Sequence, residues 1–491
     1  MRACRRRLAA LAVLVTGGLG LGACAVGPDY TAPDVDVPDT FRTDYEASGI
    51  ADALWWTGFS DPVLDALIDD ALANNVEVGI AVARLAEAGA LVRAERSDLF
   101  PILDGAATGS VRKPPGADAQ ASGSAGLVFS FTPDLFGQQR RRIEQARAFA
   151  RAQGFTLEDV RRLTVASVAD RYVDLRRNQA RLDLLDNSLD LQRQTLEIVR
   201  QRLGAGLAAD LDVQRATADL ARTQATRGTF EALKARSENA LAVLLGEAPA
   251  DGVAPGPTEN PIPVYAGGPP AGVPAALIRR RPDVLSAEED LKRAVAGIGV
   301  EIADLYPALR LPGQVTASLG GAQSTFGDVT SLISAALDIP LFDAGARRAE
   351  VRAARQNAEA ARLIYEQTVL ISLSQVENAL ADIEGQRFRR DQLRRAIGAS
   401  EQSFKQLNAL YREGLASFID ILDAQRTLIA SREATVEAEA DLARAVIDLY
   451  RALGAPTGTD DLGAMQAGLP GADSRDLSSR QVSGSPQASS S

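Results

Sequence analysis

Few side chains in this sequence are equipped for chemistry. It has no histidine, which removes the commonest general base and the commonest metal ligand. Its only cysteines are Cys4 and Cys24, too few for a thiolate cluster or a disulfide framework. Arg280, Arg281 and Asp283 are charged neighbours, but no nucleophile or metal ligand accompanies them, and they read as a turn and helix cap. Asp420 and Asp423 are three residues apart, a spacing that puts both carboxylates on one helix face. A carboxylate hydrolase needs two acids framing a cleft, and no glycine-rich or aromatic sugar-binding context surrounds any acid pair here. No catalytic residue, metal site or cofactor is assigned, and an enzyme is not expected.

Cys24 has another chemistry open to it. Arg2, Arg5, Arg6 and Arg7 precede an apolar run from Leu8 to Leu21, shorter than the roughly 20 residues that cross a bilayer as a helix. This is the pattern of a secretory signal peptide. Leu21-Gly22-Ala23-Cys24 resembles a bacterial lipobox, which implies removal of residues 1–23 and a covalent lipid on Cys24; an ordinary leader with a chance cysteine is the alternative. Cleavage removes Cys4 and four arginines, taking the formal charge from −11 to −15. No long basic block follows, so nucleic acid is not an expected partner. No later apolar run suffices for a transmembrane helix, so any membrane crossing falls to strands.

The elements that must position these residues are written twice. Asp98-Leu99-Phe100-Pro101 returns as Asp304-Leu305-Tyr306-Pro307, and Leu135-Phe136 returns as Leu341-Phe342, both at an offset of 206. Gly206-Leu207 with Leu211-Asp212-Val213 returns as Gly414-Leu415 with Ile419-Asp420-Ile421, at 208. The expected divisions are an extended, lipid-anchored segment at 24–60, one unit at 61–248, a Pro/Gly-rich linker at 249–273, a second unit at 274–456, and a disordered Gly/Ser/Asp/Gln-rich tail at 457–491.

Within each unit the hydrophobic period predicts a helix, a strand pair, a very long helix, a glycine break and a second long helix. Val168, Leu175, Leu182, Leu189, Leu196 and Leu203 recur every seven residues, a coiled-coil seam. The matching helix is expected over Ala344–Tyr411, about 100 Å at 1.5 Å per residue. Asp61-Pro62 supplies an N-cap and first-turn proline, and Trp55-Trp56 a packing anchor. Strand pairs are expected at about 103–132 and 309–341. Leu309, Leu311, Val315, Ala317 and Leu319 share one face, as do Leu127, Phe129 and Phe131, and Ile333, Leu337, Ile339 and Leu341. Each strand approaches the 9–11 residues of a membrane strand, with Phe100, Phe136, Tyr306 and Phe342 placed for an interfacial girdle. Four strands close no useful barrel, and open edges in lipid are costly, so several chains are expected to share one. Two amphipathic hairpins packed on soluble helices are the alternative.

Cys24-Ala25-Val26-Gly27-Pro28-Asp29-Tyr30, Trp55-Trp56, Arg280-Arg281-Pro282-Asp283, Tyr306-Pro307 and Leu341-Phe342-Asp343-Ala344-Gly345, in this order on a duplicated frame, resemble the outer-membrane factor family of TolC relatives and its NodT/OprM-type lipoprotein branch. The resemblance covers about residues 24–456. It implies a mainly α protein with a membrane β-barrel: a homotrimer with a shared twelve-stranded barrel, four strands per chain, over an α-helical periplasmic tunnel. It also implies a passive exit duct of a tripartite efflux system in a Gram-negative outer membrane, anchored in outer-membrane lipid. The helix tips at Gly204, Gly206 and Gly414 would meet a periplasmic adaptor (membrane fusion) protein, and an inner-membrane efflux pump of RND type would deliver the cargo.

By the same resemblance, Asp420 and Asp423 match carboxylates ringing the periplasmic gate, Asp212 a partner on the other hairpin, and Tyr411 a tyrosine of the closed state. Three chains would gather six carboxylates from Asp420 and Asp423, raising their pKa values and attracting cations. Ala416 stands where the family's best-known tip carries an arginine, so closure here falls to packing and other hydrogen bonds. A periplasmic adaptor or scaffold lipoprotein with coiled-coil hairpins is the competing reading. It does not require two period-two strand pairs at matching places.

Overall fold

The computed structural model describes residues 25–38, 54–113, 115–116, 118–251, 261–266, 280–319 and 329–455. The leader at 1–23, Cys24, the tail at 457–491 and most of the 249–273 linker lie outside the described residues. The chain divides into two compact units: Met1–Val35 with Arg84–Gln153 and Ser286–Glu366, and Asp36–Ala83 with Gly154–Leu285 and Gln367–Ser491.

The first unit holds an antiparallel sheet of β1 (Ile102–Arg112), β2 (Gln120–Phe131), β3 (Ala308–Leu319), β4 (Val329–Ile333) and β5 (Ala336–Asp338). The order is β1-β2-β3-β4, with β5 also on β3. Pairing runs Leu103↔Phe129, Phe129↔Gly313 and Gly313↔Ile333, and likewise Gly105↔Leu127, Leu127↔Val315 and Val315↔Ser331. Odd residues therefore face odd residues across the whole sheet. Since side chains alternate with period two, all odd positions share one face. That face carries Leu103, Val111, Leu127, Phe129, Leu311, Val315, Ile333 and Leu337. The even face is polar: Thr108 bonds Ser124 at 2.8 Å, Ser110 bonds Ser122 at 2.9 Å, and Arg310 meets Asp338 at 3.4 Å. The apolar face is uncovered, with Val111 75 % and Ile333 87 % exposed. Among the described residues β1 has no neighbour beyond β2, and β4 and β5 none beyond β3.

The fourth strand differs from expectation. It begins at Val329, not Ile333, and is interrupted between β4 and β5. Both pieces keep one register on β3, since Gly313↔Ile333 and Ala308↔Asp338 lie on the same antiparallel ladder. Opposite the gap stands Pro312. Ser334 N–H donates to the Pro312 carbonyl at 3.0 Å, but proline has no N–H to return the bond, and the ladder breaks there.

Eight α-helices lie among the described residues: α1 (Pro62–Asn74), α2 (Val76–Ser97), α3 (Gln138–Gly204), α4 (Asp210–Ala225), α5 (Arg227–Leu244), α6 (Pro282–Ala303), α7 (Ala346–Arg412) and α8 (Phe418–Leu453). Helices α3 and α7 each run 67 residues. None is long and apolar enough to cross a membrane. Helix α7 starts two residues later than expected. Ala344 and Gly345 take positive φ, and Asp343 caps the start by accepting from Gly345 N at 2.9 Å. The seven-residue stripe on α3 is buried at Val168, Leu175, Leu189 and Leu196 and half-buried at Leu182 and Leu203.

The return helix of the first half is broken where its counterpart is not. Thr226 separates α4 from α5, its Oγ1 donating to the Thr223 carbonyl at 2.7 Å, and Gly228 follows. At the matching place α8 has Ala434, the best helix former, and continues.

The second unit has the main core. Trp55 and Trp56 pack with α1, α3, α5, α7 and α8, and Trp55 stacks on Tyr450 at 4.9 Å and 8°. Asp61 caps α1 by accepting from Val63 N at 3.0 Å, and its other oxygen accepts from the buried Tyr172 hydroxyl at 2.6 Å. Arg176 donates to that hydroxyl at 2.9 Å. Arg281 is buried, chelating Asp283 and reaching Gln375 and the Ala452 carbonyl, which makes it a structural cap.

Candidate functional site

The candidate site is the pair of turns that end α3 and α7 in the second unit. Gly206 has φ +73 and Gly414 φ +79, values that cost a side chain dearly. At the first turn Gly206 N–H donates to Leu203 O at 2.9 Å and Leu207 N–H to Arg202 O at 2.8 Å. At the second, Gly414 N–H donates to Tyr411 O at 3.0 Å and Leu415 N–H to Leu410 O at 2.8 Å. These are two copies of one helix-ending motif. Gly204 is not part of the reversal. It is the last residue of α3 and nothing crowds the place where its Cβ would stand.

Beyond each turn the copies diverge. Ser417 caps α8 in a reciprocal capping box with Asp420, whose carboxylate accepts from Ser417 N at 3.0 Å and Ser417 Oγ at 2.6 Å. These bonds hold the exposed Asp420 carboxyl below the usual range. The upward shift expected from crowding belongs to carboxylates of three chains together; within one chain the bonds to the charged form set the direction. Asp423 is exposed one turn further along α8. At the first tip Ala209 holds the cap position and offers no side-chain acceptor, and the half-buried Asp212 pairs with Arg215 at 3.7 Å.

Tyr411 is buried at 4 % exposure in a cluster with Leu196, Val199, Ala216, Phe404, Phe418, Ile421 and Leu422. Burial pushes its hydroxyl pKa up, Arg202 opposing and Asp212 adding to the shift. That hydroxyl has no hydrogen-bond partner among the described residues. The tie at Tyr411 runs instead through its ring and carbonyl. Arg202 Cζ lies 4.5 Å from the ring centroid, and Arg202 Nη1 donates to Tyr411 O at 2.6 Å and Arg412 O at 3.2 Å. A second tie joins the same pair of hairpins: Arg426 on α8 donates to the buried Asp219 on α4 at 2.8 Å, and Gln192 on α3 donates to the same carboxylate at 3.0 Å.

Arg202, Asp219 and Arg426 escaped sequence reasoning. An arginine in the last turn of a helix reads as that helix's own cap, whereas Arg202 caps α7. Both tips expose apolar residues at matching positions: Leu207 65 %, Leu415 75 %, Leu211 56 % and Ile419 48 %.

Long paired helices turning at two glycine tips, in a chain that also carries a sheet with one uncovered apolar face, are the architecture of a channel protein. The sequence profile of the outer membrane efflux protein family matches this chain twice, over residues 67–247 and 273–455, and the chain belongs to that family. Among its relatives are Nodulation protein T of Rhizobium leguminosarum bv. trifolii, 30 % identical over 91 % of this chain and 97 % of the relative. The solvent efflux pump outer membrane protein SrpC of Pseudomonas putida is 30 % identical over 89 % of this chain and 96 % of its own. The outer-membrane channel OprN superposes with a TM-score of 0.81 at 32 % identity, covering 88 % of this chain and all of that one. The resemblance to the outer-membrane factor family is thereby borne out, and the fold is that of its outer-membrane channels.

Proposed function

We propose that this protein is the exit duct of a tripartite efflux system. Three chains close a twelve-stranded barrel, and their long helices form a periplasmic tunnel. The observation that carries this reading is the sheet: its apolar face is in phase across every strand and uncovered, while both edges lack partners among the described residues. Such a sheet is stable when lipid covers the face and further copies pair the edges. The order of elements, occurring twice, reads as a duplicated unit. The barrel sits in a Gram-negative outer membrane, and a lipid on Cys24 adds an anchor.

The duct is passive. An inner-membrane pump of RND type supplies energy and chooses cargo. A periplasmic adaptor meets the exposed Leu207, Leu211, Leu415 and Ile419 at the two tips, where apolar side chains at matching positions offer a repeated contact. Asp212, Tyr411, Asp420 and Asp423 lie at the gate, and Arg202 takes over the closing role for which Ala416 has no charge.

The test is the mass of the mature protein purified from outer membranes in mild detergent, by light scattering with detergent subtracted. Three chains per particle are expected. A detergent-free monomer or dimer removes the barrel and favours the adaptor or scaffold reading.

A further inference from the structure

The segment that follows Cys24 is bound as a ligand is bound. Residues 25–38 form no helix or strand. Even so, Val26 N–H donates to Phe136 O at 3.1 Å, at the junction between β2 and α3. Arg141 on α3, its side chain only 6 % exposed, turns towards this segment. Its Nε donates to Val26 O at 3.2 Å, and its Nη2 to Gly27 O at 3.3 Å and to Asp29 at 2.8 Å, while Glu144 holds Nη1 at 2.8 Å. Gly27, at φ +98, lies flat on Gly299 of α6: a Cβ on Gly27 would stand 2.6 Å from Gly299 Cα, and one on Gly299 2.9 Å from Val26 O. The Tyr30 hydroxyl donates to Glu288 at 3.1 Å, and Lys292 covers its ring at 5.1 Å.

Chain ends are poorly ordered unless something ties them down. An acyl anchor needs no such tie, because its chains enter the bilayer on any flexible tether. A docked tether does something a flexible one does not: it fixes position. Ala25, the first residue after Cys24 in the sequence, is packed on the same junction: a Cβ on Gly137 would stand 2.5 Å from Ala25 Cα. The Val26 contact, Phe136, is stacked on Tyr306 at 4.7 Å, on the aromatic rim where the strands end.

We propose that Arg141 is a positioning residue that receives the chain's own mature N-terminus, so that the fold rather than the lipid fixes where acylated Cys24 enters the periplasmic leaflet of the outer membrane, beside the Phe136–Tyr306 rim. This rests on the lipoprotein reading above.

The experiment places a nitroxide on Thr31→Cys, exposed and adjacent to Tyr30, in the full-length protein purified from outer membranes, and reads its mobility. The wild-type background gives an ordered spectrum. Arg141→Ala and Gly299→Val turn the mobile component from minor to dominant with particle mass unchanged, and Arg141→Lys falls between. Cys24→Ala, exported with an ordinary cleavable leader, stays ordered. Spectra as ordered as wild type in both Arg141→Ala and Gly299→Val overturn the clamp, as does a mobile Cys24→Ala. If Arg141→Ala does not assemble, Gly299→Val and Cys24→Ala decide. The mass of the wild-type N-terminal peptide checks acylation separately: a bare peptide overturns the lipoprotein reading and leaves the clamp standing on its own spectra.

Discussion

Arg202 closes the end of a helix that is not its own. It sits in the last turn of α3, yet its Nη1 donates to Tyr411 O and Arg412 O at the C-terminus of α7, while its guanidinium covers the Tyr411 ring. The carbonyl end of a helix carries partial negative charge, and a cation there is favourable. If the mouth widens by parting these hairpins, the Arg202 contacts are among the first to break. Two charge-assisted bonds that are only half-buried are worth about 1–2 kcal/mol, a 5- to 30-fold change in a two-state ratio. Arg202→Ala is expected to raise the open fraction of single channels in planar bilayers by that factor. Arg202→Lys should rescue part of it, since an ammonium keeps the charge and loses the fork and the ring cover. An unchanged open fraction in a folded Arg202→Ala trimer assigns closure elsewhere.

Asp420 is expected to stay charged to unusually low pH. Its folded pKa is depressed by Ser417, so the capping box stabilises the tip above the unfolded value of about 3.9 and loses that contribution as pH falls through the folded value. In an Asp423→Asn channel, cation selectivity measured from reversal potentials should persist through the ordinary carboxylate range and fade only below it. Ser417→Ala removes the Oγ bond, leaves the bond from the backbone N–H, and should shift that fading to higher pH. The Asp420→Ala/Asp423→Ala pair should abolish cation preference; a pair that keeps it places the selecting charges elsewhere.

What the sequence reveals and what it hides separate along one line. Features set by a residue and its near neighbours were legible: the parity of the strands, the Asp61-Pro62 cap, the glycine turns, the buried seven-residue stripe. Contacts between segments some two hundred residues apart were not. Arg202 and Tyr411, or Arg426 and Asp219, carry no local mark of each other. The break opposite Pro312 lies between the two, since the proline is visible but its effect falls on Ser334, which only the register identifies. The gap at Thr226 was readable in principle from Thr-Arg-Gly against Ala-Thr-Val, but the repeat masked it by suggesting one continuous helix.

Asp61 ties a helix start to the main core, and its loss should be costly. Asp61→Ala removes the α1 cap, about 1 kcal/mol, and leaves the fully buried Tyr172 hydroxyl without its acceptor, a further 1–3 kcal/mol. Thermal unfolding in detergent should show a clear fall in Tm. Tyr172→Phe, which removes the hydroxyl together with its need for a partner, should cost less. Equal losses in the two variants contradict the role given to the cap.

The strand register makes a prediction at neighbouring positions. Val315 lies in a column with Leu127 and Ser331 on the odd face, and Thr316 in the next column with Gly126 and Thr330 on the even face. If lipid covers the odd face, Val315→Arg puts a charge into hydrocarbon at a cost of about 2–4 kcal/mol near the midplane, and the barrel should assemble poorly. Thr316→Arg points the same charge into the lumen, where water and the polar face receive it. That variant should assemble normally and lower cation conductance by opposing cation passage. Outer-membrane yield and single-channel current read the two effects separately. A reversed pattern, with Val315→Arg tolerated and Thr316→Arg excluded from the membrane, turns the sheet inside out and sinks the assignment of its faces.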